Sequence, residues 1–193
     1  MTVLGAGLVG VAAAWLLLNR GHGVRLIDPG GTGAQPAGAG TSAALGVLMA
    51  QVYRRSSGRG WRLRQRSLQL WQQWSDQLAG RGPALPFRPG LLQLAADPLE
   101  LEQQQRLVQE RSAKGFPLHL LREEELAQLR PQVPAGVLGG LLSPLDGQLD
   151  PIASRQLLLQ DALSRGLELV SDRAEAIAAG PSPERWRIHL AAG

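Results

Sequence analysis

The chain has 193 residues, of which 44% are hydrophobic and 19% are charged, and its formal net charge is +4. This composition supports a buried core and excludes a generally disordered protein. The chain contains no cysteine, which excludes a disulfide framework, a thiolate metal site and a cysteine nucleophile within these residues. A cysteine-free chain is compatible with the cytoplasm, which is the location we expect.

The first element in chain order is a βαβ pattern that ends in a carboxylate. A strand over Thr2–Leu4 runs into a glycine turn, a helix follows over Val11–Leu18, and a strand over Val24–Ile27 leads to Asp28. The turn has the spacing of a dinucleotide-binding loop, with glycines at Gly5, Gly7 and Gly10. The pattern therefore predicts a nucleotide-binding crossover unit.

Each part of this unit has a physical reason. Gly5 permits a tight turn, Gly7 lets a pyrophosphate approach the backbone, and Gly10 lets the helix lie close to the sheet. The helix N-terminus offers unpaired amides and a positive dipole end to phosphate. Asp28 follows the third glycine by 18 residues, where a carboxylate can accept ribose hydroxyls but would repel the 2′-phosphate of NADP.

Two alternatives fit parts of the same stretch. A βαβ crossover without nucleotide would share its strands and helix, and a membrane segment would share its lack of charge. The uncharged run Val3–Leu18 has only 16 residues, whereas about 20 are needed to cross a bilayer. Its glycines also interrupt the apolar core that a signal peptide needs, so we expect no membrane span.

The basic residues suggest a nucleic-acid partner as a further alternative. Lys114 is the only lysine, and the arginines are densest at Arg54, Arg55, Arg59, Arg62, Arg64 and Arg66. A nucleic-acid groove needs stacking aromatics between its arginines. The nearby Trp61, Trp71 and Trp74 instead fall on the apolar face of a predicted helix, so we assign them to the core and expect no nucleic-acid partner.

The chain after Asp28 begins with a glycine-rich loop over Gly30–Gly40 and a small, uncharged segment over Thr41–Met49. This segment either contacts a ligand or forms part of the core. Further helices are predicted over Gly60–Ala79, from Asp97 to Lys114, over Leu121–Leu129 and from Asp150 to Gly166. Strands are predicted over Leu91–Ala95, Gly136–Leu142, Leu167–Val170 and Arg185–Leu190, with turns at 144–147 and 180–183.

No catalytic or metal-binding group stands out in the sequence. The three histidines lie apart, without a second ligand at helical spacing, so we expect no metal site. No serine lies in a GxSxG nucleophile elbow. A catalytic acid, base or nucleophile therefore stays unassigned.

These residues resemble the flavin-dependent D-amino acid oxidase family, particularly its glycine oxidase and sarcosine oxidase branches. The glycine fingerprint through Asp28 is one part of the likeness. Three further segments resemble the second flavin-contacting segment, the opening strand of the substrate domain and the return to the flavin domain, and they are Gly40–Leu48, Pro89–Ala95 and Asp146–Pro151. Their order and spacing match the family across nearly the whole chain.

The resemblance implies an α/β fold, with a Rossmann-like FAD-binding βαβ domain of the GR2 type and an inserted, incomplete α+β substrate domain. It assigns 1–80 to the first part of the FAD-binding domain, 81–143 to the partial insertion and 144–193 to the return. The family runs to nearly twice this length and has a substrate-gripping arginine beyond the matched part. The resemblance therefore implies an N-terminal fragment, or a chain that has lost catalysis.

The resemblance also implies FAD as cofactor. Leu8 and Val9 would lie by the pyrophosphate, Asp28 and Pro29 by the adenosine ribose, and Glu175 or a neighbour by the adenine. The segment from Gly40 would pass along the phosphates, the ribityl chain and the flavin ring, although the family usually has alanine at Leu45 and often methionine at Val47. The full implied set is Gly5, Gly7, Leu8, Val9, Gly10, Asp28, Pro29, Gly40, Thr41, Ser42, Leu45, Gly46, Val47, Leu48 and Glu175.

In such oxidases an amino acid or secondary amine gives its α-hydride to the flavin, the imine hydrolyses, and dioxygen reoxidises the flavin to yield peroxide. The resemblance thus implies an FAD-dependent oxidoreductase with a small amine substrate and dioxygen as acceptor. Two alternatives stay open. One is a non-catalytic remnant that binds a nucleotide or a partner, and the other is an NAD-dependent dehydrogenase domain, against which Thr41–Met49 argues.

Overall fold

The structure is a computed structural model, and it describes residues 1–33, 39–180, 182 and 185–192. It forms two compact units, one made of Met1–Leu45 with Asp150–Gly193 and the other of Gly46–Leu149. The second unit is inserted in sequence between the two parts of the first. Along the sequence the boundaries between the units fall at 45/46 and 149/150, whereas we expected boundaries at 80/81 and 143/144. The function assigned to each stretch stays a prediction.

Nine strands and six helices are present in the described residues. In chain order they are β1 (Thr2–Leu4), α1 (Leu8–Asn19), β2 (Arg25–Ile27), α2 (Gly40–Ala43), β3 (Val47–Leu48), α3 (Gly58–Ala79), β4 (Phe87–Ala95), α4 (Pro98–Ser112), β5 (His119–Leu121), α5 (Glu123–Leu126), β6 (Gly139–Leu149), α6 (Pro151–Ser164), β7 (Glu168–Val170), β8 (Ala174–Ala179) and β9 (Trp186–Leu190). No helix among them is both long enough and apolar enough to cross a bilayer.

The first unit contains the predicted βαβ crossover. Strands β1, β2 and β7 form a parallel sheet in that order, and Val3, Leu26 and Leu169 stand side by side in it. Helix α1 packs on α6, and the buried core includes Val11, Trp15, Leu26, Leu158 and Ala162. Strands β8 and β9 form a separate antiparallel hairpin. The predicted α/β fold with a parallel βαβ unit is confirmed.

A polar contact also joins the two packed helices of this unit. The fully buried ring of Trp15 on α1 donates its Nε1 hydrogen to Asp161 Oδ2 on α6 at 2.6 Å. Arg165 pairs with the same carboxylate at 2.9 Å. The indole nitrogen would be an unsatisfied buried donor without this acceptor, so the bond fixes the register of α1 against α6.

The second unit is organised around the long strand β6. Strand β4 pairs antiparallel with one edge of β6, while β3 and β5 pair with different parts of its other edge. Val52, Leu118 and Leu141 form a buried cluster, against which Met49 and Leu91 pack together with Leu107 and Val108. Helix α4 packs on this sheet, whose pairings are all antiparallel, so the unit has an α+β architecture.

A buried carboxylate holds the irregular segment that follows β3. Asp146, fully buried on β6, accepts the amides of Ala50 at 2.7 Å, Gln51 at 3.0 Å and Val52 at 3.0 Å. Three backbone donors outside any sheet are thereby satisfied by a single side chain. The Asp146 carboxylate thus accepts the hydrogen bonds that the carbonyls of a neighbouring strand would otherwise accept.

Several predicted elements differ from the observed ones. The turn predicted at 144–147 is wrong, because β6 continues through it and Pro144, Leu145 and Asp146 bulge opposite Gly90, whose φ is +97°. Turn-forming residues are also found at such bulges. Helix α1 begins at Leu8 rather than Val11, and strand β5 was not predicted.

The apolar face of α3 is less buried than we expected. The helix itself is confirmed, but its three tryptophans, Trp61, Trp71 and Trp74, are half-buried, and Leu63 is 58% exposed. The core assignment of these residues is therefore wrong. Parts of two predicted irregular segments, residues 34–38 of the glycine-rich loop and Pro181 and Pro183 of the later turn, lie outside the described residues.

We expect G10A to destabilise the first unit. A methyl group on Gly10 would lie 1.9 Å from the Gly5 carbonyl oxygen, so the backbone of the turn or of α1 would have to move. Such overpacking costs about 1–3 kcal/mol, although alanine normally favours a helix by about 1 kcal/mol over glycine. The matched control is G23A, because a methyl there meets no atom within 4 Å in the described part of the chain. Equal urea midpoints for the two variants would contradict the prediction.

We expect D146A to destabilise the second unit by about 3 kcal/mol, because it leaves three buried backbone amides without an acceptor. Asp97 provides the control, since its exposed carboxylate accepts one amide, that of Glu100, at the start of α4. Loss of such a helix cap costs about 1 kcal/mol. The urea midpoint of D146A should therefore lie clearly below that of D97A. A D146A variant at least as stable as D97A would show that the buried hydrogen bonds contribute little to stability.

Candidate nucleotide site

The glycine turn lies at the carboxyl end of β1. Gly5 has φ +90° and donates its amide to the Ile27 carbonyl of β2 at 2.8 Å. Its positive φ is one that a residue with a side chain rarely adopts. The close approach of Gly10 to the Gly5 carbonyl brings the first turn of α1 against the loop. Gly5 thus forms the tight turn and Gly10 lets α1 pack against it, while their part in binding a nucleotide stays a prediction.

The N-terminus of α1 is anchored by a hydroxyl from a distant segment. The Leu8 amide donates to Thr41 Oγ1 at 2.9 Å, and a methyl group on Gly7 would lie 3.3 Å from the same oxygen. No acidic residue stands in the first turn of α1. Within its first turn α1 therefore carries no carboxylate of its own, and the positive end of its dipole favours an anion.

The Asp28 carboxylate joins the glycine turn to the loop that follows β2. Its Oδ2 accepts the Ala6 amide at 2.8 Å and its Oδ1 accepts the Gly30 amide at 2.8 Å. The side chain is half-buried. A carboxylate has about four acceptor sites, so both oxygens can still accept a hydroxyl after these bonds. The structure therefore places Asp28 beside the glycine turn, as the nucleotide-site hypothesis requires.

An arginine that the sequence analysis did not identify lies behind the same two loops. Arg155 on α6 is 1% exposed. Its Nε donates to the Ala6 carbonyl at 2.5 Å, Nη1 to Gly33 at 3.3 Å and Nη2 to Gly31 at 3.2 Å. Burial lowers the pKa of Arg155, while the charge of Asp28 raises it, and the guanidinium stays protonated.

The sequence does contain a signal for this arginine. Arg155 stands three and four positions before Leu158 and Leu159, so it occupies a core position of α6 at helical spacing. An arginine on an apolar stripe points to buried acceptors, but nothing in the local sequence identifies them. Asp146 in the second unit was missed in the same way, as part of a predicted turn.

The other predicted site residues of the first unit belong to α1, to the loop after β2, or to α2 and the segment after it. Thr41 and Ser42 stand in the short helix α2, where the Ser42 hydroxyl donates to the Ala39 carbonyl at 2.9 Å. Val9 and Leu45 are 84% and 77% exposed. Pro29 and Gly40 are also exposed. These residues present apolar surface and backbone to solvent.

The remaining predicted residues lie elsewhere. Gly46, Val47 and Leu48 belong to the second unit, where Gly46 has φ +66° and accepts the Leu149 amide at 2.9 Å. Glu175 is exposed on β8 at a register shift between Ala174 and Ala176. None of the contacts that tie together the glycine turn, Asp28 and Thr41 involves these four residues.

Comparisons of the fold show similarity to flavoenzyme structures. Glycine oxidase from Geobacillus kaustophilus is 24% identical with a TM-score of 0.81, and the match covers 100% of this chain and 51% of that one. Iminodiacetate oxidase from Chelativorans sp. BNC1 is 22% identical with a TM-score of 0.79, with coverage of 100% and 51%. FAD-bound L-alpha-glycerophosphate oxidase from Mycoplasma pneumoniae is 18% identical with a TM-score of 0.77, with coverage of 98% and 49%.

These identities are low enough that the structures establish the fold alone, and the chain spans about half the length of each. No curated protein matches the sequence. The family described as "DAO: FAD dependent oxidoreductase" matches residues 1–193, the whole of the chain. The protein therefore belongs to the DAO family of FAD-dependent oxidoreductases.

Proposed function

We propose that the first unit binds the adenosine diphosphate part of FAD in an oxidoreductase that acts on amino acids or related amines. One observation supports this most directly. The bonds from Ala6 to Asp28 and from Leu8 to Thr41 gather three segments, far apart in sequence, around the start of one helix. The family is FAD-dependent, and these segments are those that its likeness assigns to the cofactor.

The residues of this cluster fit the chemistry of the cofactor. A methyl group on Gly5 or Gly40 would meet no atom of the described residues within 4 Å, so those residues leave the space beside both backbones open. Leu8 and Val9 at the start of α1 would lie by the diphosphate, with the Leu8 amide bonded to Thr41. Asp28 would accept hydroxyls of the adenosine ribose, with Pro29 beside it.

The assignments for the rest of FAD are proposals of the same kind. Thr41 and Ser42 would stand by phosphate or ribityl oxygens, and Leu45, Gly46, Val47 and Leu48 would line the flavin ring. Glu175 or a neighbour would meet the adenine through its backbone. We also propose that residues 81–143 contribute to a substrate domain, and that 1–80 and 144–193 serve the flavin domain.

When bound, FAD supplies the capacity to take two electrons from an amine as a hydride. The part of this chain is to hold and orient that cofactor, and no side chain here is assigned as acid or base. Similar folds occur in a glycine oxidase and an iminodiacetate oxidase, which supports a small amine or amino acid as the substrate of the whole protein. We propose dioxygen as acceptor and the cytoplasm as location.

The proposal is tested by titrating the 193-residue chain with FAD, FMN and NADH and following flavin or tryptophan fluorescence. We expect FAD to bind more tightly than either of the others, because the cluster recognises adenosine diphosphate and the family uses FAD. Binding of NADH in preference to FAD would favour a dehydrogenase domain. Folded chain that binds none of the three would overturn the proposal.

We expect D28N to weaken FAD binding by about 10- to 100-fold, because a hydrogen bond to a charged group is worth about 1.5–3 kcal/mol. FMN lacks the adenosine, so its affinity should not change. D97N is the matched control, since Asp97 lies in the second unit and caps α4. Wild-type affinity of D28N for FAD, measured by the same titration, would remove Asp28 from the proposed site.

A further inference from the structure

Arg155 is an unusual residue to find inside the first unit. Its side chain is fully buried among apolar neighbours on α6 such as Leu158 and Leu159. No ion pair of the described residues includes it. A buried charge is normally paired or heavily hydrogen-bonded, because leaving water is costly. Here the compensation comes from three backbone carbonyls and not from a carboxylate bonded to it.

Those carbonyls belong to the two loops that form the nucleotide cluster. Ala6 stands in the glycine turn after β1, while Gly31 and Gly33 stand in the loop after Asp28. Ala6 is held from both sides, since its amide donates to Asp28 at 2.8 Å and its carbonyl accepts from Arg155 at 2.5 Å. Arg155 thus bridges the two loops through their carbonyls.

The contact with Ala6 also has an electrostatic consequence. The Ala6 carbonyl and the Gly7 amide hydrogen belong to one peptide group. A cation bonded to the carbonyl polarises that group and strengthens the amide as a donor. Gly7 is the residue that precedes α1, so the strengthened donor stands at the helix N-terminus, where the dipole already favours an anion.

We propose that Arg155 is a positioning residue for the diphosphate of the cofactor, which acts by fixing the glycine turn against the Gly30–Gly33 loop and by adding positive charge behind the turn. The inference rests on the proposed function, because it needs the first unit to bind an adenosine diphosphate. It assigns to α6 a role in recognising the phosphates, without direct contact with them.

The test compares wild type, R155K and R155Q of the 193-residue chain with FAD, ADP and adenosine. We expect R155Q to lose at least tenfold in affinity for FAD and ADP, but less than threefold for adenosine, which carries no phosphate. R155K keeps the charge and should recover part of the loss. Equal losses for ADP and adenosine would indicate general loosening of the unit and would overturn the inference.

The matched control is R111Q. Arg111 on α4 is also 1% exposed and donates to backbone carbonyls, those of Gln51 and Tyr53, but it lies in the second unit. R111Q should be less stable and yet bind ADP as wild type does. A wild-type chain that binds neither ADP nor FAD would overturn the proposed function, whereas normal ADP binding by R155Q would overturn only the role of Arg155.

Amide hydrogen exchange tests the positioning itself without ligand. In R155Q we expect faster exchange at the amides of Ala6, Gly30, Gly31 and Gly33, which are held within the two loops. Amides in the middle of α1 should exchange as in wild type. Uniform acceleration throughout the unit, or unchanged exchange in both loops, would contradict a positioning role.

Discussion

The nucleotide cluster depends on one peptide segment that is held from two sides. The Ala6 amide donates to Asp28 and the Ala6 carbonyl accepts from Arg155. The carboxylate follows β2 and the guanidinium lies on α6, so the turn is held by both of the elements that flank it. An irregular loop has no ladder of its own to satisfy its backbone groups. The two charged side chains provide those bonds, and the glycines keep the backbone accessible between them.

The second unit uses the same arrangement for a different segment. Asp146 accepts the amides of Ala50, Gln51 and Val52, and Arg111 donates to the carbonyls of Gln51 and Tyr53. A carboxylate and a guanidinium are again linked through backbone and not directly, and in this unit both are buried. The stretch held in this way follows Gly46–Leu48, which we propose to line the flavin ring. In each unit, therefore, one carboxylate and one guanidinium satisfy backbone groups of an irregular stretch.

Membership of the DAO family agrees with this reading of the first unit, because the family is FAD-dependent. Structures of similar fold include oxidases of quite different compounds. A common cofactor with varied substrates is what a fold supports when cofactor and substrate are bound by separate parts.

The sequence by itself determined the βαβ unit, the place of Asp28 at the end of β2 and the Asp-Pro starts of α4 and α6. These features depend on residues a few positions apart, whose spacing and caps act locally. The tertiary structure decided that Thr41 anchors α1, that Pro144–Asp146 form a bulge instead of a turn, and that Arg155 and Asp146 hold loops. Each of these contacts joins residues between 33 and 149 positions apart or depends on pairing with another strand. No local pattern encodes such partners, because a buried charge finds its acceptors only when the chain has folded around it.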